Sequence, residues 1–302
     1  MPVIGAKKGF KLKNIVGLFF IMPWVIGFIW FQLYPFVMSL IYSFTDYTMM
    51  KPPNFVGLSN YRRLFTVDPD FWKSLRVTAV YALMLVPLKL IVSLIVAMIL
   101  NMNIKGVNFF RTVYYLPSIL GGSVAISVLW KILFMRNGVI NNLLAPLGIP
   151  PIDWIGNPDL ALFTISMLSV WQFGSSMVLF LAALKQIPGS LYEAAKVDGA
   201  RSFTIFFRIT LPMITPILFF NLVMQAINAL QEFTSSFVIT NGGPLKSTYV
   251  LGMKLYTDAF ANYKMGYASA LSWIMFLIIV ALTSFIFRSS AGWVYYDDGG
   301  EF

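Results

Sequence analysis

The sequence predicts an all-α, polytopic membrane protein with six transmembrane helices. Two observations predict it. The 302 residues are 58% hydrophobic and only 11% charged, where a soluble domain carries roughly a quarter charged residues. Charge-free runs recur at 14–45, 112–130, 160–184, 209–231 and 265–287, and a sixth at 77–104 is broken only by Lys89. These runs meet or approach the length of about 20 residues that a bilayer requires. Cysteine and histidine are absent, which removes disulfides, thiolates, imidazole bases and the usual zinc ligands.

The first run is longer than one span needs, and Pro35 is expected to end its helix or start a bend on the outer side. Its flank of Lys7, Lys8, Lys11 and Lys13 has the charge of a signal-peptide n-region. The apolar stretch that follows is too long for one, and no small-residue cleavage site follows closely. An N-inside arrangement puts eleven Lys and Arg in cytoplasmic segments and ten outside. The count barely discriminates, but the four lysines before the first span favour N-inside. Six spans then put both termini inside. Residues 46–76, 136–159 and 237–264 become outer loops. The first holds Pro52-Pro53. The second holds Pro146, Pro150, Pro151 and an interfacial Trp154. The third opens on Asn241-Gly242-Gly243-Pro244, a turn signal. The net charge of +10 lies at span ends and in loops, where anionic head groups are found. No basic stripe interleaved with stacking aromatics points to nucleic acid.

The fifth run carries Asn221, Gln225, Asn228 and Glu232 at helical spacing, on one face, with Ser235 continuing it. Polar side chains in a span face other helices or water. Amides and a carboxylate offer what sugar hydroxyls require; interhelical hydrogen bonding is the plainer use of the same groups. Glu232 stands at a pathway mouth or pairs with a cation. Lys89 sits mid-run, two residues after Pro87, where snorkelling is hard. It pairs with Glu232 or meets an anionic group on a substrate, such as a uronic acid. On the fourth run Trp171 and Gln172 form a further candidate pair, a stacking face beside an amide, with bundle packing as the alternative. Ser118, Gly121, Gly122, Ser123 and Ser127 on the third run suit close helix packing.

Between the fourth and fifth runs lies a polar stretch, Glu193-Ala194-Ala195, three residues, Gly199, nine residues, then Ile209-Thr210-Leu211-Pro212. Ser190 is placed to cap a helix with Glu193 three residues on, as in a capping box. Ala194 and Ala195 favour helix and present a smooth surface. Gly199 gives a turn or a close approach, and Pro212 falls in the first turns of the next helix.

This spacing resembles the EAA loop of the membrane subunits of binding-protein-dependent ABC importers. Gly242-Gly243-Pro244 through Ser247-Thr248, and Phe55-Val56-Gly57-Leu58 with Asn60-Tyr61, are similar to outer segments of the carbohydrate-uptake members, the maltose, multiple-sugar and glycerol-phosphate type. The resemblance implies a permease subunit that imports a sugar or oligosaccharide by alternating access. It implies a transmembrane domain at 14–288, with the EAA loop at 186–212, between cytoplasmic tails at 1–13 and 289–302. Glu193, Ala194, Ala195, Asp198, Gly199 and Arg201 would then couple to the ATPase; Asn221, Gln225, Asn228, Glu232, Trp171, Gln172 and Lys89 would line the substrate pathway. The implied partners are a second permease subunit of different sequence, two ATPase subunits and an extracellular or periplasmic sugar-binding protein, in a bacterial cytoplasmic membrane. ATP and Mg²⁺ would belong to the ATPase chains, with no cofactor or metal in this one.

Other readings have less behind them. Import of a non-sugar solute fits the same loop. An ion-coupled secondary transporter needs ionisable groups at the midplane, and only Lys89 and Glu232 are available. An intramembrane enzyme lacks an acid–base pair. Gly243-Pro244-Leu245-Lys246-Ser247-Thr248 ends like a phosphate loop but lacks the glycine before its lysine. Asp297, Asp298 and the tail Gly299-Gly300-Glu301-Phe302 read as solvated and frayed.

Overall fold

Two of the longer helices open on a polar cap followed by proline. In the computed structural model, which describes residues 12–102 and 105–295, Asp68 caps the second long helix by accepting the Asp70 N–H at 2.9 Å, with Pro69 at the first helical position. Asn157 and Pro158 do the same for a later one, through the Asp159 N–H at 2.9 Å. A polar cap satisfies a donor the helix cannot, and proline has no N–H to lose there. The helices in chain order are α1 (Leu12–Phe28), α2 (Tyr34–Ser43), α3 (Ser59–Thr66), α4 (Pro69–Asn101), α5 (Val107–Leu120), α6 (Val124–Phe134), α7 (Val139–Leu144), α8 (Pro158–Trp171), α9 (Gly174–Gln186), α10 (Gly189–Val197), α11 (Ser202–Ile205), α12 (Leu211–Met213), α13 (Thr215–Leu230), α14 (Leu251–Tyr256) and α15 (Met265–Ser290). The described residues form no strand, only isolated bridges such as Thr45 with Phe55. The class is all-α, as the composition predicts. Lys7, Lys8, Lys11, Asp297, Asp298 and the last four residues lie outside the described part.

Four helical stretches are long and apolar enough to cross a membrane, and six when each of two bent pairs counts as one span. The protein is therefore a multi-pass membrane protein. Three expectations need correction. Pro35 does not end the first span: a π-helical turn at Ile29–Leu33 joins α1 to α2 without a break. Such a bulge is one way a helix absorbs an irregularity in its hydrogen-bond ladder. The segment 46–76 is not all loop, because it contains α3 and the first turns of α4. The charges of Lys73 and Arg76 end the apolar run but not the helix. The third run, 112–130, is not one helix but α5 and α6; the stretch long and apolar enough to cross is Val124–Leu147, which carries Lys131 and Arg136 and takes up the start of the expected loop 136–159.

The chain divides into two units. The first comprises residues up to 63 together with 258–273. There Asn60 Nδ2 donates to the carbonyls of Ser43 at 2.9 Å and Thr45 at 2.8 Å, and the Tyr61 hydroxyl donates to Ser43 Oγ at 2.7 Å. These bonds pin α3 to the end of α2. Trp273 Nε1 donates to Ser39 Oγ at 3.1 Å. Phe19, Phe20 and Phe31 are exposed, as suits a lipid-facing span.

The second unit comprises 64–257 and 274 onward. Its core forms where α4 meets α8, α9 and α13. Tyr81, Leu85, Ile165, Leu168, Met177, Phe180 and Ile214 fill it. Burying each such side chain contributes on the order of 1.5–3 kcal/mol in water; within lipid, packing replaces that term. Segment 241–256 is fastened to the start of α4. Lys246 pairs with Asp70 at 2.6 Å, Lys254 with Asp68 at 2.6 Å, and Lys73 Nζ donates to the Leu245 carbonyl at 2.6 Å.

Candidate functional site

Three apolar runs of the second unit are interrupted. α5 gives way to α6 at Gly121–Ser123, and α8 to α9 at Gln172–Phe173 with a 47° bend. After α13 the backbone leaves helix at Glu232 and Phe233. Backbone groups freed at such depth must find protein partners or line a wet cavity. The breaks at α5 and α8 satisfy each other. Gln172 Nε2 donates to the Gly121 carbonyl at 3.0 Å, and Ser118 Oγ donates to the Gln172 carbonyl at 3.1 Å while accepting the Ser175 N–H at 3.1 Å. From α4, Ser93 Oγ donates to the Phe173 carbonyl at 3.3 Å. At the third break Glu232 Oε1 accepts the Ser235 N–H at 2.8 Å.

Glycine is required at 174. A Cβ there would lie 2.6 Å from the Tyr114 carbonyl oxygen and 2.8 Å from the Tyr115 Cα, so the two helices touch backbone to backbone. Of the small residues of the third run, Ser118 lies at this contact and Ser127 is buried, but Gly121 and Gly122 do not serve close packing: an added Cβ meets nothing within 4 Å at Gly122 and only the carbonyl of Ile119 at Gly121, because they form the break between α5 and α6. Trp171 lies with its ring centroid 5.9 Å from that of Trp130 and stays 38% exposed.

The predicted face of the fifth run divides. Asn221 is buried and donates to the Ile217 carbonyl of its own helix at 3.0 Å. Gln225 is buried and donates to Ser176 Oγ at 3.0 Å, the interhelical use. Asn228 is exposed and makes no hydrogen bond among the described residues. Glu232 is half-buried, with the Tyr81 hydroxyl 3.5 Å from Oε2 and Ser169 Oγ 2.9 Å from the same hydroxyl. Ser176, Tyr81, Ser93 and Ser169 were missed from the sequence, because an isolated hydroxyl in an apolar run carries no pattern. Lys89 is half-buried in unbroken helix α4. Its ammonium forms no ion pair or hydrogen bond among the described residues.

The polar stretch between α9 and α13 is built otherwise than expected at its start. Ser190 does not cap. The helix begins at Gly189 after Pro188, without a side-chain cap. Proline holds the preceding residue out of helical conformation and so sets the boundary itself; Ser190 then falls inside the first turn and Glu193 beyond it. The end matches a Schellman motif. Gly199 has φ +73°, its N–H donates to the Lys196 carbonyl at 3.0 Å, and the Ala200 N–H donates to the Ala195 carbonyl at 2.9 Å. Glu193, Ala194, Asp198, Gly199 and Arg201 are exposed and Ala195 is half-buried. Val197, which the sequence reading passed over, is 88% exposed. The Tyr192 hydroxyl lies 3.1 Å from Thr210 Oγ1, in a π-helical turn at Phe206–Thr210. The piece Ser202–Met213 makes a 68° bend with α13. A groove of ≈ 620 Å³ beside α10 is lined by Lys105, Arg111, Lys185 and Tyr192, among others.

Interrupted apolar helices of this kind recur in membrane transporters. The chain belongs to the family of binding-protein-dependent transport system inner membrane components, whose model matches residues 80–295. It is 47% identical over 297 residues to the probable ABC transporter permease protein YesP of Bacillus subtilis (strain 168), covering 97% of this chain and 96% of that one. It is 34% identical over 281 residues to the lactose transport system permease protein LacF of Rhizobium radiobacter, covering 90% and 93%. It is 34% identical over 277 residues to the trehalose/maltose transport system permease protein MalF of Thermococcus litoralis, covering 90% and 88%. Its fold is that of a chain in the crystal structure of a bacterial ABC transporter involved in the import of the acidic polysaccharide alginate, with a TM-score of 0.79 at 21% identity, over 92% of this chain and 96% of that one.

Proposed function

We propose that this chain is a permease subunit of an ATP-driven importer that moves a sugar or oligosaccharide across the bacterial cytoplasmic membrane. The observation that carries the reading is the breadth of its likeness to permeases named for lactose and for trehalose and maltose, about nine-tenths of the chain in each case. The subunit is non-catalytic. ATP and Mg²⁺ act in two separate ATPase chains, a second permease completes the membrane domain, and a binding protein delivers the sugar. The domain spans 14–288, and both termini are cytoplasmic.

Helix α10 supplies the coupling contact, with Glu193, Ala194, Ala195, Asp198, Gly199 and Arg201 in a partner's cleft. The exposed Phe203 and Phe207 just after it in the chain, with ring centroids 5.8 Å apart, support this, since grouped exposed apolar side chains mark a partner's place. Closure of the ATPases moves α10, α10 moves the bent base of α13, and the interrupted spans change which side the pathway faces. Trp171, Asn228, Glu232 and Lys89 are the pathway residues with chemistry to spare. Gln225 and Gln172 hold the helices around it, and Asn221 is turned onto its own helix.

The test is the ATPase rate of the assembled complex against a panel of oligosaccharides presented by its binding protein. Stimulation by a sugar is the expected result. A flat rate with every sugar, in a complex that assembles, overturns the sugar assignment and leaves import of another solute.

A further inference from the structure

Lys89 is a charged group placed where charge is most expensive. It lies midway along the uncharged stretch 77–101 of α4, about 18 Å from either end at 1.5 Å per residue, beyond the reach of its four-carbon stem. One turn further on, Ser93 binds the carbonyl of Phe173 at the break in the fourth span, so Lys89 stands at the level of the interrupted helices. Glu232, the acid that the sequence offers as its partner, has its carboxylate engaged by the Ser235 N–H and the Tyr81 hydroxyl. The two charges do not meet. A purely structural pair would close to contact, because a gap leaves both desolvation costs standing.

The second observation is at the other end of α4. A groove of ≈ 800 Å³ is lined by Trp72, Lys73, Arg76, Asp159, Leu245 and Ser247, among others. Trp72 is 53% exposed. The Arg76 guanidinium makes no hydrogen bond or ion pair among the described residues, even though Asp159 lines the same groove. Ser247 Oγ is buried without a hydrogen-bond partner. An indole face suits the apolar side of a pyranose. A guanidinium fork suits a carboxylate.

From these two places we infer that the transported oligosaccharide carries carboxylates, as a uronic acid does, with Arg76 meeting them at the Trp72 groove and Lys89 meeting them in mid-membrane. The inference rests on the proposed sugar import and narrows it. A neutral sugar needs only hydroxyl partners and a stacking face, which Asn228 and Trp171 already offer. An uncompensated mid-span ammonium has no use for it. Cations spaced along a low-dielectric route attract an anionic substrate and supply its counter-charge at each stage.

The experiment uses the full complex in proteoliposomes with its binding protein. Uptake is measured for short uronic-acid oligosaccharides, two to four units long, and for their carboxyl-reduced neutral counterparts. The expected result is uptake of the acidic series in preference to the neutral one. Lys89→Met, an apolar near-isostere that a span accepts, and Arg76→Gln should each lower the acidic-to-neutral uptake ratio at least tenfold. Because the ratio is read on one complex, poor assembly cancels. A ratio within threefold of the parent in either variant overturns that residue's role. Uptake of the neutral series alone overturns the acidic assignment and leaves sugar import standing. Uptake of neither series by the assembled complex overturns both.

Discussion

The Tyr192 hydroxyl and Thr210 Oγ1 lie 3.1 Å apart, so one hydrogen bond ties the exposed helix α10 to the base of the fifth span. Thr210 is buried, and the bond is the polar part of an otherwise apolar contact. Tyr192→Phe keeps the ring and removes the bond, at about 0.5–1.5 kcal/mol. Transport per ATP hydrolysed should fall several-fold while the ATPase still co-purifies. An unchanged ratio of transport to hydrolysis would show that this bond carries no coupling.

At Gly199 the constraint is conformational and not spatial. Its φ is +73°, and no heavy atom lies within 4 Å of an added Cβ. An L-residue in left-handed conformation costs about 1–2 kcal/mol, less for Asn and more for a β-branched residue. Coupled transport should therefore decline in the order Gly, Asn, Ala, Val. A ranking by side-chain volume, with Ala better than Asn, would show that a partner's surface and not the backbone sets the requirement.

Gly174 presents the opposite case. An added methyl meets backbone of α5 at 2.6 Å and 2.8 Å, which no rotamer change relieves. Gly174→Ala should cost about 1–3 kcal/mol as overpacking. It should appear as a lowered melting temperature of the detergent-purified complex, with Gly174→Leu failing to assemble. A melting temperature unchanged in Gly174→Ala would mean that the helices part freely there.

The ion pairs at the start of α4 should differ in weight. The Lys254–Asp68 pair has side-chain exposures of 4% and 16%, and the Lys246–Asp70 pair 49% and 37%. Removing one partner of a buried pair costs about 3–5 kcal/mol, and an exposed pair is worth about 0–1 kcal/mol. Lys254→Met should lower the melting temperature markedly and Lys246→Met barely. Equal shifts would contradict this reading of burial.

The sequence made most spans legible because lipid disfavours charge along them; the third was misplaced because Lys131 and Arg136 lie within Val124–Leu147. It also exposed the polar stretch at 193–212, since polarity between two apolar runs stands out. The breaks were not legible. Gln172 reads as a candidate ligand, and only its bond to the Gly121 carbonyl reveals it as the patch over a gap in two helices. Periodicity put Asn221, Gln225, Asn228 and Glu232 on one face without saying what covers that face. Ser176 covers part of it, and Asn228 stays open. The Ser190 cap was misplaced because Pro188 sets the boundary earlier.

Asp68 and Asp70 bind Lys254 and Lys246, and the Thr78 hydroxyl accepts the Leu251 N–H at 2.8 Å. The head of the second span and the link from the fifth to the sixth are thus bolted together at several points. A transporter has to open somewhere, and it will not open along a seam fastened this way. This part of the chain is better suited to swing as one leaf of a door, with the opening edge on another face of the subunit.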